Sequence, residues 1–258
     1  MSTRFEAPSG YREAPVSNET SFNGHRLSDH NIVVERVHDD PPSMRESLED
    51  NVGRHGSSLR SLAMEPREII LDCRIFHDKW DDLERALQSV YGWLVTSDDR
   101  ELVLRNRHGQ YYMAHLRSYE EGERSFDSTS FKLTFVASDP LRYEAKQRYV
   151  VVQSGITREF EVGGTDEARA MIEVRNCDST PHVELVRLSG NGREGDMTVA
   201  GTNDGSVVTF DCVNHIVRSN GSVRGVTLES TWPILMPGRW GARTSSGTMT
   251  LSWRQSYR

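Results

Sequence analysis

The sequence predicts a mainly β protein, with an N-terminal antiparallel β domain that carries one α-helix and a C-terminal β-sandwich. Apolar and polar residues alternate in short runs over most of the chain, and a period of two is typical of half-buried strands. One segment, residues 77–92, changes to a helical period instead. After Pro140, turn-forming pairs such as Asn-Gly separate many short strands, which favours a β-sandwich.

Length, charge and cysteine content narrow the class of protein. The chain has 258 residues and a net charge of −7, which argues against a free-standing nucleic-acid binder because affinity for phosphate depends on basic residues. No apolar run approaches the roughly 18 residues of a membrane span, and the N-terminus shows no secretory signal. Cys73, Cys177 and Cys212 lie far apart without a C-x-x-C pair, so we interpret them as reduced, structural thiols.

The first part of the chain is predicted to be an arm, a strand pair and a long loop. Residues 1–20 are polar and rich in proline and glycine, as expected of a flexible N-terminal arm. Strands are predicted at about 20–27 and 31–37, joined by a polar turn. Residues 38–66 show no sustained period and are interpreted as a loop, and loops of that length are uncommon in compact domains unless functional or disordered.

A buried strand over 68–76 leads into a helix predicted over 78–91. Asp78 is placed to cap the helix N-terminus, and Gly92 fits its end. The helix would bury the apolar residues that recur at three- and four-residue spacing, namely Trp80, Leu83, Leu87 and Val90.

The first domain is predicted to end at Asp139-Pro140. Three strands follow the helix at about 101–106, 111–119 and 127–137. The last of them stops at Pro140, because proline donates no hydrogen bond and keeps the preceding residue out of the helical region. The N-terminal β domain would therefore cover 21–140 and the C-terminal sandwich 141–258.

No motif predicts catalysis, and neither a metal nor a cofactor is expected. The chain lacks a phosphate-binding glycine loop, H-E-x-x-H and G-x-S-x-G. The histidines are scattered, and acidic pairs such as Asp39-Asp40 fall in predicted loops, where they are usually solvated. Trp232 and Trp240 lie in the phrase TWPILMPGRWG; such aromatics stack on a sugar, contact a partner or fill a core, and all three readings stay open.

The order of these features resembles the siphophage distal tail protein family, often called Dit. The phrases that carry the resemblance are SFNGHRL (21–27), DNVGRHGSSLRS (50–61), REIILDCRI (67–75), DKWDDLERALQSV (78–90), F-x-x-x-DP-x-x-Y (135–143) and WPILMPG (232–238). Together they extend over about residues 20–258.

The resemblance implies a structural virion protein at the phage tail tip, assembled in the host cytoplasm, with no enzymatic activity. The N-terminal domains would form a hexameric ring, and the C-terminal sandwich would be galectin-like. The ring would join the tail tube protein to the tail-associated hub protein, with the tape measure and receptor-binding proteins as further candidate partners. DNA would pass through the ring without specific binding, and no membrane insertion is expected.

Within that ring, the long 38–66 segment would reach a neighbouring subunit. Its length and its basic residues motivate this expectation, and the interface candidates are Arg45, Arg54, His55 and Arg60. The alternative is a carbohydrate-binding β-sandwich that recognises the host cell surface through Trp232 or Trp240. A β-rich hydrolase is the third hypothesis, but no motif supplies the nucleophile or the paired carboxylates that it would need.

Overall fold

The computed structural model describes residues 19–50, 53, 55–76, 80–107, 109–125 and 128–258, with the side chains of 80–82 excepted. Most of the predicted N-terminal arm, the predicted helix cap Asp78 and the candidate Arg54 lie outside these residues. The mainly β fold with one α-helix is confirmed for the described part of the chain, and its sheets are antiparallel. Contacts divide it into two compact units, which meet in the sequence between Arg142 and Tyr143, just after Pro140.

The first unit is an antiparallel sheet with a helix and a separate hairpin. Its elements are β1 (Ser21–Phe22), β2 (His25–Arg26), a 3₁₀ turn (Leu27–His30), β3 (Ile32–His38), β4 (Met44–Asp50), β5 (Ser57–Met64), β6 (Arg67–Phe76), α1 (Trp80–Leu94), β7 (Arg100–Val103), β8 (Gln110–Arg124) and β9 (Ser128–Ala137). The strand order is β3-β6-β9-β8-β7-β1-β2. Strands β4 and β5 form a two-stranded sheet of their own.

Alternation along β6 and the apolar stripe of α1 build the core of this unit. Strand β6 buries every second residue, including Ile69, Leu71 and Ile75, because successive side chains point to opposite faces of the sheet. Helix α1 runs to Leu94, beyond the end predicted at Gly92. The two additional residues extend the helix, and Leu94 lies buried in the same core.

The predicted pairing of the first two strands was wrong. Strands β1 and β2 form a tight hairpin around Asn23-Gly24, where both residues adopt positive φ. Asn-Gly is the pair that such two-residue turns favour, because both central positions need positive φ. Strand β3 pairs instead with β6, with Ile32 opposite Ile75.

The prediction of a long loop over 38–66 was also wrong, because β4 and β5 pair with each other over most of that segment. Their register runs from Met44 opposite Met64 to Asp50 opposite Ser57. A β-bulge shifts the phase of the apolar residues in β5 and hides the strand from a search for strict alternation.

The second unit, Tyr143–Tyr257, is built almost entirely from strands. Following β10 (Arg142–Glu144), the strands are β11 (Arg148–Gln153), β12 (Arg158–Val162), β13 (Asp166–Cys177), β14 (His182–Arg187), β15 (Gly192–Arg193), β16 (Gly195–Thr198), β17 (Ser206–Asp211), β18 (Ile216–Ser219), β19 (Ser222–Arg224), β20 (Ile234–Leu235), β21 (Gly238–Thr244) and β22 (Thr248–Tyr257).

Two sheets of this unit enclose one core, which is the arrangement of a β-sandwich. One sheet has the order β19-β18-β17-β13-β22-β11 and the other β12-β21-β14-β16. The first contributes buried residues such as Ile172 and Phe210, and the second contributes Leu185 and Trp240. Both sets belong to a single apolar cluster.

Candidate functional site: an exposed hairpin arm

Strands β4 and β5 form an exposed hairpin, and we call the segment from the first to the last of their residues, 44–64, the arm. No residue described in either strand is buried. The backbone N–H of Glu65 donates to the Ser43 carbonyl at 2.8 Å, which closes the base of the arm. Near the far end the Ser57 hydroxyl donates to Asp50 at 3.2 Å. An isolated two-stranded hairpin is marginally stable in water, so an arm of this kind needs a surface to pack on.

The bulge in β5 gathers the apolar side chains of the arm on one face. Ser47 faces Ser61 and Leu48 faces Leu59, so Arg60 is the extra residue without a cross-strand partner. Leu59 and Leu62 are three positions apart and would otherwise point to opposite sides. With the bulge, one face carries Met44, Leu48, Leu59 and Leu62, and we call it the apolar face of the arm. The same face also carries Met64, Ser57 and the acidic residues Glu46 and Asp50.

The apolar face is open to solvent in the single chain. Met44 is 46% exposed, Leu48 and Leu59 are each 57% exposed, and Leu62 is 50% exposed. The opposite face is polar, with Arg45, Ser47, Glu49, Ser58 and Ser61. Several exposed apolar side chains gathered on one face, with a polar reverse side, are typical of an interaction site.

The predicted interface residues lie around this face rather than on it. Arg45 is exposed on the polar face, Arg60 is exposed at the bulge, and His55 is exposed in the turn. Their role in an interface stays a prediction. The sequence analysis missed Met44, Leu48, Leu59 and Leu62 as interface candidates. The three leucines in a segment predicted to be a loop could have indicated them, because a solvated loop rarely needs several large apolar residues.

Of the two tryptophans predicted as contact residues, Trp240 is corrected to a core residue. It is 0% exposed, and its indole N–H donates to the Met236 carbonyl at 3.0 Å. A fully buried ring presents no face to a sugar or a partner. Trp232 is half-buried against the same core and stacks on His215, with ring centroids 4.9 Å apart. Trp240 therefore cannot serve as the sugar-contacting residue in the carbohydrate-binding alternative.

The rest of the described chain offers little for chemistry. Within the described ranges, no group of three or more acidic, histidine or cysteine side chains is arranged to hold a metal ion. Burial raises the pKa of the Cys73 and Cys212 thiols to about 12, which keeps both neutral and weakly reactive. No helix in the described part of the chain combines the length and apolar character needed to cross a membrane.

A shallow groove lies on the outer face of the sheet of the first unit. Its floor carries a row of alternating charges across four adjacent strands, formed by Arg36, Asp72, Lys132 and Glu120. Opposite charges on neighbouring strands attract each other, so this row is well explained as a stabilising feature of the sheet.

Comparisons with known proteins agree with this architecture. Residues 25–137 match the family of phage tail protein RIFT-related domains. The fold is similar to that of the Dit protein of phage SPP1, which is described as a paradigm of the hub adsorption apparatus in phages infecting Gram-positive bacteria. The TM-score is 0.77 at 17% sequence identity, and the alignment covers 93% of this chain and 99% of that chain. A chain of the phage P2 baseplate in its activated conformation with calcium has a TM-score of 0.51, 10% identity, and coverage of 90% and 92%. No curated protein matches the chain.

The match to the phage tail domain thus covers residues 25–137, and both strands of the arm lie inside the matched range. The predicted resemblance to the siphophage distal tail proteins is confirmed by this family match together with the shared fold. At 17% identity the likeness to the solved structure concerns the fold.

Proposed function

We propose that this chain is a structural protein of a long phage tail, and that it acts as the distal hub between the tail tube and the tail-tip apparatus. Copies of the first unit assemble into a ring through the arm, with six copies as the expected number. The phage tail domain over 25–137 and the fold shared with a hub protein support this proposal.

The observation that carries the proposal is the apolar face of the arm. Met44, Leu48, Leu59 and Leu62 are about half exposed or more and are held on one side by the bulge at Arg60. Burying apolar surface contributes about 25 cal/mol per Å², so covering this face favours association. A second copy is the proposed occupant because the arm belongs to the domain that matches phage tail proteins.

The shape of the arm favours a ring over a two-fold dimer. A projecting arm and the surface that receives it are different parts of the chain, so each copy would give one arm and receive another. Contacts of this head-to-tail kind propagate around a circle and close where the rotation permits, whereas a two-fold dimer joins identical patches.

The charge of the chain is compatible with a channel for DNA. Each copy has a net charge of −7, and a ring multiplies that charge around its opening. A negative wall repels phosphate and lets DNA pass without being held. The tail tube protein, the tail-associated hub protein, the tape measure and the receptor-binding proteins are the proposed partners.

Native mass and negative-stain images over a range of concentrations test the assembly. The matched variant replaces residues 44–64 by Asn-Gly, which spans the hydrogen-bonded pair Ser43 and Glu65 as a two-residue hairpin turn. We expect rings from the complete chain and folded monomers from the variant. Rings from the armless variant, or strict monomers of the complete chain at every concentration, would contradict assembly through the arm.

A further inference from the structure

Two buried charged residues meet at the base of the arm. Asp39 precedes β4 and Arg67 opens β6 directly after β5, so they flank the two ends of the arm. Their side chains are 2% and 4% exposed, and Arg67 Nη1 lies 3.4 Å from Asp39 Oδ1. The sequence reading of Asp39 as a solvated loop carboxylate was therefore wrong.

Two further side chains complete a cluster around the Asp39 carboxylate. The Tyr112 hydroxyl on β8 donates to Asp39 Oδ1 at 2.7 Å, and Arg107 Nε donates to Oδ2 at 3.0 Å. Arg67 Nη1 donates to the Tyr112 oxygen at 2.6 Å. Both carboxylate oxygens thus have donors, which come from outside the arm.

The donor state of Tyr112 is secured by its surroundings. Burial raises the pKa of the Tyr112 hydroxyl well above its ordinary value, and the hydrogen bond to Asp39 raises it further. The Tyr112 hydroxyl therefore stays protonated and keeps donating its hydrogen bond to Asp39 at neutral and moderately alkaline pH. A buried ion pair is costly to break by removing one partner, because the other charge would be left unpaired away from water.

Prolines stiffen both connections between this cluster and the arm. Pro41 and Pro42 lie between Asp39 and β4, and Pro66 lies between β5 and Arg67. Each proline fixes φ near about −65°, which removes a rotation from the connecting backbone. The arm thus leaves the unit through two stiff connections whose ends are held together by the Asp39–Arg67 pair.

We propose that Asp39, Arg67 and Tyr112 are positioning residues that set the direction in which the arm projects. The inference rests on the proposed function, since a fixed direction matters when the arm docks on a second copy. Fixing the direction before contact lowers the ordering cost of association, which is the effect of preorganisation.

The test measures the arm in isolated chains. Spin labels are attached to cysteines introduced at Ser58 in the arm and Ser89 on α1, both of which are exposed. The background is the Leu48→Ser/Leu59→Ser double variant, so that no assembly interferes. We expect a narrow distribution of label distances with the cluster intact and a distribution at least about twice as wide after Asp39→Asn.

The controls separate positioning from folding. Tyr112→Phe removes one donor and is expected to widen the distribution less, so it decides the question if Asp39→Asn fails to fold. Glu35→Gln removes the exposed pair with Arg74 in the same sheet and should leave the width unchanged. An unchanged width in a folded Asp39→Asn or Tyr112→Phe variant would overturn the inference. This readout uses single chains, so it remains valid even if the complete protein forms no rings.

Discussion

Replacing two leucines of the apolar face should shift assembly to much higher protein concentrations without weakening the fold. The double variant Leu48→Ser/Leu59→Ser changes two residues that are each 57% exposed in the single chain. Exposed substitutions away from special features usually alter the free energy of unfolding by no more than about 0.5 kcal/mol. The first unit should therefore keep its melting temperature, while the contact between copies loses apolar surface.

The size of the loss follows from the exposure of the two leucines. Complete burial of a leucine contributes about 1.5–3 kcal/mol. Slightly more than half of each leucine is exposed in the single chain and can be covered by a neighbouring copy. Burying that part contributes about 1 kcal/mol per leucine to the free energy of association. Losing both removes about 2 kcal/mol, which weakens each contact by a factor of about 30. The loss recurs at every contact of the ring.

Sedimentation velocity over a concentration series measures this effect. Val223→Ser is the matched control, because Val223 is 66% exposed on β19 in the other unit. The control tests whether any loss of exposed apolar surface changes association. The reasoning is refuted if the double variant assembles at the same concentrations as the unmodified chain, or if Val223→Ser weakens assembly equally.

Three further predictions concern stability and reactivity. Cys73 and Cys212 should resist a thiol reagent at pH 8 until the protein is unfolded by denaturant, because burial raises the pKa of both to about 12; rapid labelling of the folded protein would contradict this. Trp240→Ala should lower the free energy of unfolding of the second unit by about 3–5 kcal/mol, measured in urea, whereas Trp232→Ala at a half-buried site should cost less. Burial acts to raise the pKa of Asp211, but hydrogen bonds from Asn214 and Val213, together with the nearby charge of Arg218, outweigh it and lower the pKa below its ordinary value. Its contribution to stability is thus complete at neutral pH and lost as the pH falls through the folded-state pKa, so Asp211→Asn should flatten the acid side of the stability profile.

Local patterns made much of the fold predictable. The alternation in β6 and the three- and four-residue spacing in α1 are properties of neighbouring residues, and both elements lie close to their predicted positions. The arm was missed because one extra residue, Arg60, changes the phase of alternation in β5. A bulge is defined by the partner strand, so a single strand read alone gives no sign of it.

The core position of Trp240 and the cluster at the base of the arm depend on residues distant in sequence. A Cβ at Gly192 would come within 2.8 Å of the Trp240 ring, so the ring occupies space that a glycine on another strand leaves free. Asp39 and Tyr112 are 73 positions apart, yet they share a hydrogen bond. No pattern within either segment predicts that meeting, because it depends on the order of strands in the sheet.

Photo-crosslinking between isotopically distinct copies tests the central claim most directly. A photoreactive phenylalanine derivative replaces Leu59, and ¹⁵N-labelled and unlabelled chains are mixed before irradiation. If the arm docks on a second copy, mass spectrometry will show crosslinked peptides that pair the arm of one isotope with the first unit of the other. Crosslinks confined to a single isotope, or none at concentrations where the protein associates, would contradict assembly through the arm.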